Sequence, residues 1–131
     1  MKTKLIKVIL SFFCIFSFVK AEEPMLKPVS YDSIKEKISS SATMLEFGST
    51  SCYSCVQMGK LLHKVKSKYK KNSIYFIDIY KDQKIARKYK IRMIPTQVYL
   101  DENGVIIDKH VGAIKEDDLV EKLKNYKIIK G

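Results

Sequence analysis

The stretch from residue 43 to 69 limits what this chain can fold into more than any other. Thr43-Met44-Leu45-Glu46-Phe47 is a short, largely apolar run closed by Gly48-Ser49-Thr50-Ser51, the pattern of a strand entering a turn. The period then changes. Val56, Met58, Leu61, Leu62, Val65 and Tyr69 recur at helical spacing with lysines on the opposite face, so an amphipathic helix follows. Cys52-Tyr53-Ser54-Cys55 stands at the junction, at the helix N-terminus, where unpaired N–H groups and the helix dipole stabilise a thiolate. Cys52, at the very start, should feel that field most, and a thiolate is the species that attacks a disulfide. In form this is a redox site.

Three plainer roles for the pair compete with that one. A disulfide closing a four-residue ring gains only about 1.9 kcal/mol in the chain-entropy formula, against about 4.7 for a 100-residue loop, so a structural staple would be better placed far apart. Half a zinc site would need two more ligands, and His63 and His110 are the only candidate nitrogen donors, at a spacing that matches no finger pattern. Haem attachment requires His directly after the second cysteine, where Val56 stands. A metal role is therefore not expected.

The first 21 of the 131 residues read as a targeting segment rather than as fold. Lys2, Lys4 and Lys7 precede an apolar run from Val8 to Val19, followed by Lys20-Ala21 and Glu22-Glu23. That is a charged start, a short apolar core and a small residue at a cleavage position, the layout of a signal peptide cut after Ala21. The run is short for a membrane span, which needs about 20 residues; an uncleaved anchor stays open as the alternative. Cys14 raises lipidation, but Ser11-Phe12-Phe13 before it lacks the small residues that processing favours.

Cleavage would leave 110 residues, enough for one domain, and only Cys52 and Cys55. In an oxidising compartment such a pair either cycles or stays oxidised. Four lysines leave with the segment, so the net charge falls from +11 to +7. The densest basic stretch, Lys60 to Lys71, interleaves lysines with apolar residues and reads as a solvated helix face. Export argues against nucleic acid, which leaves the charge to solubility with a mild bias toward membrane surfaces.

Along the remaining chain, residues 22–30 carry Pro24 and Pro28 without periodicity and read as a linker. Ser33 and Glu36 have capping-box spacing, with Ile34 and Ile38 on one face, so a short helix starts there. Gly59 is a soft point in the helix after the cysteines. Lys70-Lys71-Asn72 reads as a turn, Ile74 to Ile79 as a strand and Gln83 to Lys88 as a short helix. Thr96–Leu100 and Val105–His110 flank Asn103-Gly104, a β-hairpin, and a last helix runs from about Lys115 to Tyr126. One α/β domain over 31–131, with a central mixed β-sheet and helices on both faces, fits this order.

Over roughly residues 41–126 the sequence resembles the thioredoxin family. Four features carry the resemblance, in the family's order: Cys52-Tyr53-Ser54-Cys55 opening a helix, Ile94-Pro95-Thr96, the Asn103-Gly104 hairpin, and Val111-Gly112-Ala113 before the last helix. The resemblance implies a thioredoxin-like three-layer sandwich and a thiol-disulfide oxidoreductase. It implies that Cys52 attacks a partner disulfide and that Cys55 resolves the mixed disulfide. It also implies a cis Ile94–Pro95 peptide beside the cysteines, Ile94 meeting the substrate backbone and Tyr53 and Ser54 bordering the same groove. Glu46 lies six residues before Cys52, where the family often buries an Asp that takes the second cysteine's proton; burial raises a carboxyl toward the range of a general base.

The departures bear on the reduction potential. Ser51 stands where the family often has Trp, the inner pair is Tyr-Ser rather than Gly-Pro, Glu46 replaces Asp, and no strand lysine appears in Ile74–Ile79. Only 39 residues separate Cys55 from Pro95, which leaves no room for the inserted helical domain of a dedicated periplasmic oxidase. Such a minimal fold is similar to the reductant arm of the family, so the resemblance implies an exported, periplasmic reductant, expected as a monomer. It would act on disulfide-bearing proteins, for example in cytochrome c maturation, and draw electrons from a membrane partner, with no cofactor or metal. A periplasmic oxidase or isomerase, and a non-catalytic peptide-binding module, stay open.

Overall fold

A computed structural model describes residues 20–131, so all but the end of the signal segment lies outside the described residues. The centre of the fold is β1 (Thr43–Gly48), all six of whose residues are buried. A strand buried on both faces and both edges needs apolar residues at nearly every position, which is how Met44, Leu45 and Phe47 are used. On one side it pairs parallel with β3 (Ile74–Asp78), and on the other antiparallel with β4 (Thr96–Leu100). Beyond β4 lies β5 (Ile106–Val111), giving the order β3-β1-β4-β5. The hairpin joining β4 to β5 turns at Gly104, whose φ of 76° suits glycine, and Asp101 Oδ1 accepts the N–H groups of Asn103 and Val105 at 2.9 Å each.

Alternation along the strands divides the core in two. On one face Met44, Ile74 and Tyr99 pack against Met58, Leu62 and Val65 of α2 (Tyr53–Lys68) and Leu119 and Leu123 of α4 (Glu116–Asn125). On the other face Leu45, Phe47, Ile77, Val98 and Leu100 meet Tyr31, Ile34, Ile38 and Tyr89. Those four come from a 3₁₀ turn (Tyr31–Ile34), α1 (Lys35–Ile38) and the end of α3 (Gln83–Lys88). The result is a three-layer α/β sandwich with a mixed sheet in the middle, the fold class expected from the sequence. Lys122 and Tyr126 both donate to Asp108 Oδ2, which ties α4 to β5.

Three local expectations give way to tertiary structure. Lys71–Asn72, read as a turn, form β2, which pairs antiparallel with β6 (Ile129–Lys130) at the chain's end. The Ser33–Glu36 capping box does not form. Helical structure begins earlier, at Tyr31, whose N–H is accepted by Asp82 Oδ2 at 3.1 Å, and Ser33 Oγ donates back to the Ser30 carbonyl at 2.6 Å. Burying Tyr31, Ile34 and Ile38 on one face sets that start, and the local cap yields to it.

The third concerns residues 22–30. Residues 25–29 lie against the domain as an extended arm. Leu26 N–H donates to the Gly59 carbonyl at 2.8 Å, Val29 N–H donates to the Phe76 carbonyl at 2.9 Å, and Pro28 bridges Phe76 in parallel. A Cβ on Gly59 would stand 2.7 Å from Met25 Cε. Gly59 therefore opens α2 to the arm; it is a docking point where the sequence suggested a soft one.

Candidate active site

The turn after β1 sets the first cysteine. Ser49 Oγ accepts the Ser51 N–H at 3.2 Å, and the Cys52 N–H reaches the Ser49 carbonyl at 3.3 Å. Cys52 then becomes the N-cap of α2, with extended backbone (φ −97°, ψ 117°). Its Sγ accepts the Cys55 N–H at 3.3 Å and lies 3.4 Å from Ser54 Oγ. An N-cap acceptor meets the orphan donors of the first turn, so negative charge on this sulfur is met by the positive end of the helix. Cys52 and Cys55 are joined by a disulfide, with Cα atoms 5.2 Å apart. They are not equivalent. Cys52 is half-exposed, whereas Cys55 is wholly buried.

Cys55 packs onto the end of β1. A Cβ on Gly48 would stand 3.1 Å from Cys55 Cβ and 3.2 Å from its Sγ, so the missing side chain lets the strand approach the second cysteine. Residues Met44, Glu46 and Gly48 share one face of β1. The face is that of α2, since Met44 packs against α2 residues and Gly48 meets Cys55. Glu46 is thus one side-chain position back from the residue touching Cys55, about 7 Å along the strand. It is fully buried, and burial pushes its carboxyl up to about 8, against which the Gln97 hydrogen bond pulls in the other direction. A carboxyl in that range can change protonation at neutral pH.

Gln97 was not singled out in the sequence. It is buried and lies opposite Glu46 in the β1–β4 register, with Nε2 donating to Glu46 Oε2 at 3.0 Å and Oε1 at 3.3 Å. The available signal was one amide inside the otherwise strand-like run Thr96-Gln97-Val98-Tyr99-Leu100, and it gains meaning only once β1 and β4 are paired.

The proline loop arrives at the same end of the sheet. The Ile94–Pro95 peptide is cis. Thr96 pairs with Phe47, which sets Pro95 alongside Gly48, and the Pro95 carbonyl accepts the Gly112 N–H at 2.7 Å. Pro95 is buried and Ile94 half-buried. Tyr53, next to Cys52 in the chain, is 81% exposed and Met93, two residues before Pro95, is 66% exposed, while Ser54 is half-buried. Cys52, Cys55, Tyr53, Ser54, Ile94 and Pro95 therefore share one pole, with Glu46 behind it.

The histidines are elsewhere. His63 lies two turns beyond Cys55 on α2, and His110 is on β5 with its Nε2 3.3 Å from the Ala113 carbonyl. Among the described residues no group of three or more His, Cys, Asp and Glu side chains is placed to hold a metal ion. Among them, too, no helix is long and apolar enough to cross a membrane.

Comparison with known proteins agrees with this geometry. Residues 29–127 match the family described as thioredoxin-like domain. The chain is 29% identical over 84 residues to Thioredoxin H4 of Arabidopsis thaliana, covering 63% of this chain and 70% of that protein. It is 28% identical to Thioredoxin of Mycoplasmoides gallisepticum, covering 62% of this chain and 80% of that one. Among solved structures, a thioredoxin mutant from Halobacterium salinarum superposes with a TM-score of 0.66 at 20% identity, covering 79% of this chain and 90% of its own. The reduced Schistosoma mansoni thioredoxin pre-protein superposes with a TM-score of 0.64 at 24% identity, over 78% and 94%.

Proposed function

The chain belongs to the thioredoxin-like family and is a thiol-disulfide oxidoreductase, and we propose that it works outside the cytosol as a reductant of protein disulfides. The observation that carries the mechanism is the asymmetry of the pair: a half-exposed Cys52 at the N-cap and a buried Cys55 behind it. In the dithiol form the Cys52 thiolate attacks one sulfur of a partner disulfide. A Cys52–partner bond forms, the partner's disulfide breaks, and its other sulfur leaves as a thiolate that takes a proton from water. Cys55 gives its proton to Glu46 and attacks Cys52 Sγ; the Cys52–Cys55 disulfide forms, the partner's second sulfur leaves as a thiolate that takes a proton from water, and Glu46 releases its proton to water, so the partner ends as a dithiol. Two electrons and two protons pass to the partner. The exposed Tyr53 and Met93, with Ile94 and Pro95, border the path a substrate chain would take.

Export rests on the charged start, apolar core and Ala21 of the first 21 residues. The reducing direction rests on the short interval between Cys55 and Pro95, and it requires a membrane dithiol donor to reload the pair in an oxidising space. Two measurements test it together. Thiol labelling of acid-quenched cells should find Cys52 and Cys55 mainly reduced. Equilibration with glutathione should give a potential below about −200 mV, nearer a thioredoxin at about −270 mV than a strong oxidant at about −120 mV. A pair that is oxidised in the cell, with a potential above about −150 mV, would make this an oxidase instead.

A further inference from the structure

Behind the cysteines three buried polar side chains come together, Glu46 on β1 and Gln97 and Tyr99 on β4, while the buried Asp78 of β3 lies opposite Gly48 in the register. Glu46, Gln97 and Tyr99 all point to the α2 face. Gln97 straddles the carboxyl with one NH₂ group, and among the described residues it alone donates to Glu46. Its own Oε1 is buried without a protein partner, as is the Tyr99 hydroxyl. Leaving a buried acceptor unpaired is costly, so the orientation of this amide needs a cause. An ionised carboxylate only accepts, so a neighbouring amide must present its nitrogen. A protonated carboxyl has one O–H to donate, and the same amide, turned about its last torsion, can accept it through Oε1. Gln97 can hold Glu46 in either protonation state, through its NH₂ group or through its Oε1.

We propose that Gln97 is the positioning residue of the resolving half-reaction: its amide clamps the Glu46 carboxylate on the α2 face, where that carboxylate takes the proton of Cys55. Gln97 touches neither sulfur nor substrate; it acts through Glu46. The inference therefore rests on Glu46 being the proton acceptor. It also accounts for how a longer Glu can serve at this position, since a clamp from the neighbouring strand fixes an extra rotatable bond.

Gln97→Met keeps the volume and removes the clamp, and the test reads the resolving step alone. A thionitrobenzoate mixed disulfide formed on Cys52 releases its chromophore when Cys55 attacks, and the rate is followed against pH. Losing a hydrogen bond to the charged form should move the midpoint of that profile upward by about one unit, about tenfold in rate at pH 7. Alkylation of Cys52 in the reduced protein should be unchanged, which separates this effect from general loosening. In the unaltered reduced protein, the Gln97 side-chain NH₂ resonances should titrate with the same midpoint as the Glu46 carboxyl carbon. This arm needs no variant to fold. If Glu46→Gln slows resolution while Gln97→Met leaves the profile in place, the clamp is wrong and the acceptor stands. A Glu46→Gln variant with an unaltered profile removes the acceptor and the clamp with it, and NH₂ resonances indifferent to the Glu46 titration overturn the clamp directly.

Discussion

At the scale of single residues, function depends on which side chains water can reach. Cys52 is half-exposed and Cys55 buried, so Cys55→Ser should leave an attacking sulfur with no resolver, and mixed disulfides should accumulate on a non-reducing gel. Cys52→Ser should trap little; equal trapping would reverse or abolish the division of roles. Glu46 makes a prediction of opposite character, about stability. Its carboxyl sits at about 8 in the folded state against an ordinary 4.5. Between those values the folded chain holds a proton that the unfolded chain has lost, so stability falls as pH rises from about 4.5 and the full penalty stands above about 8. From 4.5 to neutrality, at about 1.4 kcal/mol per pH unit, the penalty is on the order of 3 kcal/mol. Urea unfolding at pH 5 and pH 7.5 should show the natural protein weakening between the two, and Glu46→Gln should flatten that decline and unfold later at pH 7.5. Matching declines would mean that the carboxyl meets no such penalty. Residues of this kind were legible when their cause was local. The cysteines announce themselves by their place before a helix, and Glu46 by its place six residues before Cys52, which the family resemblance marks. Gln97 is defined by a register 51 residues away in sequence, and nothing next to it in the chain reports that.

At the scale of elements, the legible parts were those whose period is their own, such as α2 and the β4–β5 hairpin. The missed parts are borrowed from a partner. β2 is two residues long and exists only because Ile129–Lys130 pairs with it. The N-terminal arm has no periodicity because its hold on the domain is backbone to backbone, through the Gly59 and Phe76 carbonyls. That makes Gly59 testable. Leucine in a helix interior is favoured over glycine by roughly 0.8 kcal/mol, yet at 59 any side chain would enter the space of Met25. Gly59→Leu should therefore keep α2 and release the arm, with Leu26 and Val29 amides exchanging about tenfold faster while the β1 amides hold. Unchanged exchange at Leu26 would mean that the arm docks without needing the open helix face. The arm also matters to the site, since Phe76, which it bridges, reaches within 3.0 Å of where a Gly48 side chain would begin.

At the scale of the molecule, basic residues are concentrated in two stretches of the chain. From Phe47 to Ile77 the chain has six lysines and no acidic residue. Of these lysines, Lys64 is paired with Glu116 and Lys60 lies 3.9 Å from Glu22. The segment leading to the proline loop is similar: Lys81, Lys84, Arg87, Lys88, Lys90 and Arg92 are all exposed, against a single Asp82 whose carboxylate is engaged by the Tyr31 N–H. Arg92 stands three residues before Pro95. The sequence alone assigned the positive balance to solubility, because a run of lysines on a helix face has no address. In the fold, the exposed Lys90 and Arg92 lie on the segment that leads into the proline loop. A field of one sign beside a reactive group raises the encounter rate of oppositely charged partners, and it reaches about 30 Å at 0.01 M salt but only about 3 Å at 1 M. An acidic disulfide peptide should therefore be reduced about tenfold faster than a basic one of the same length in 10 mM salt, with the two converging in 1 M salt. Lys90→Glu with Arg92→Glu should shrink the low-salt preference and leave the high-salt rate in place, because neither residue belongs to the cysteine chemistry. A ratio that ignores salt would return the charge to solubility and leave partner choice to the apolar rim of Tyr53, Met93 and Ile94.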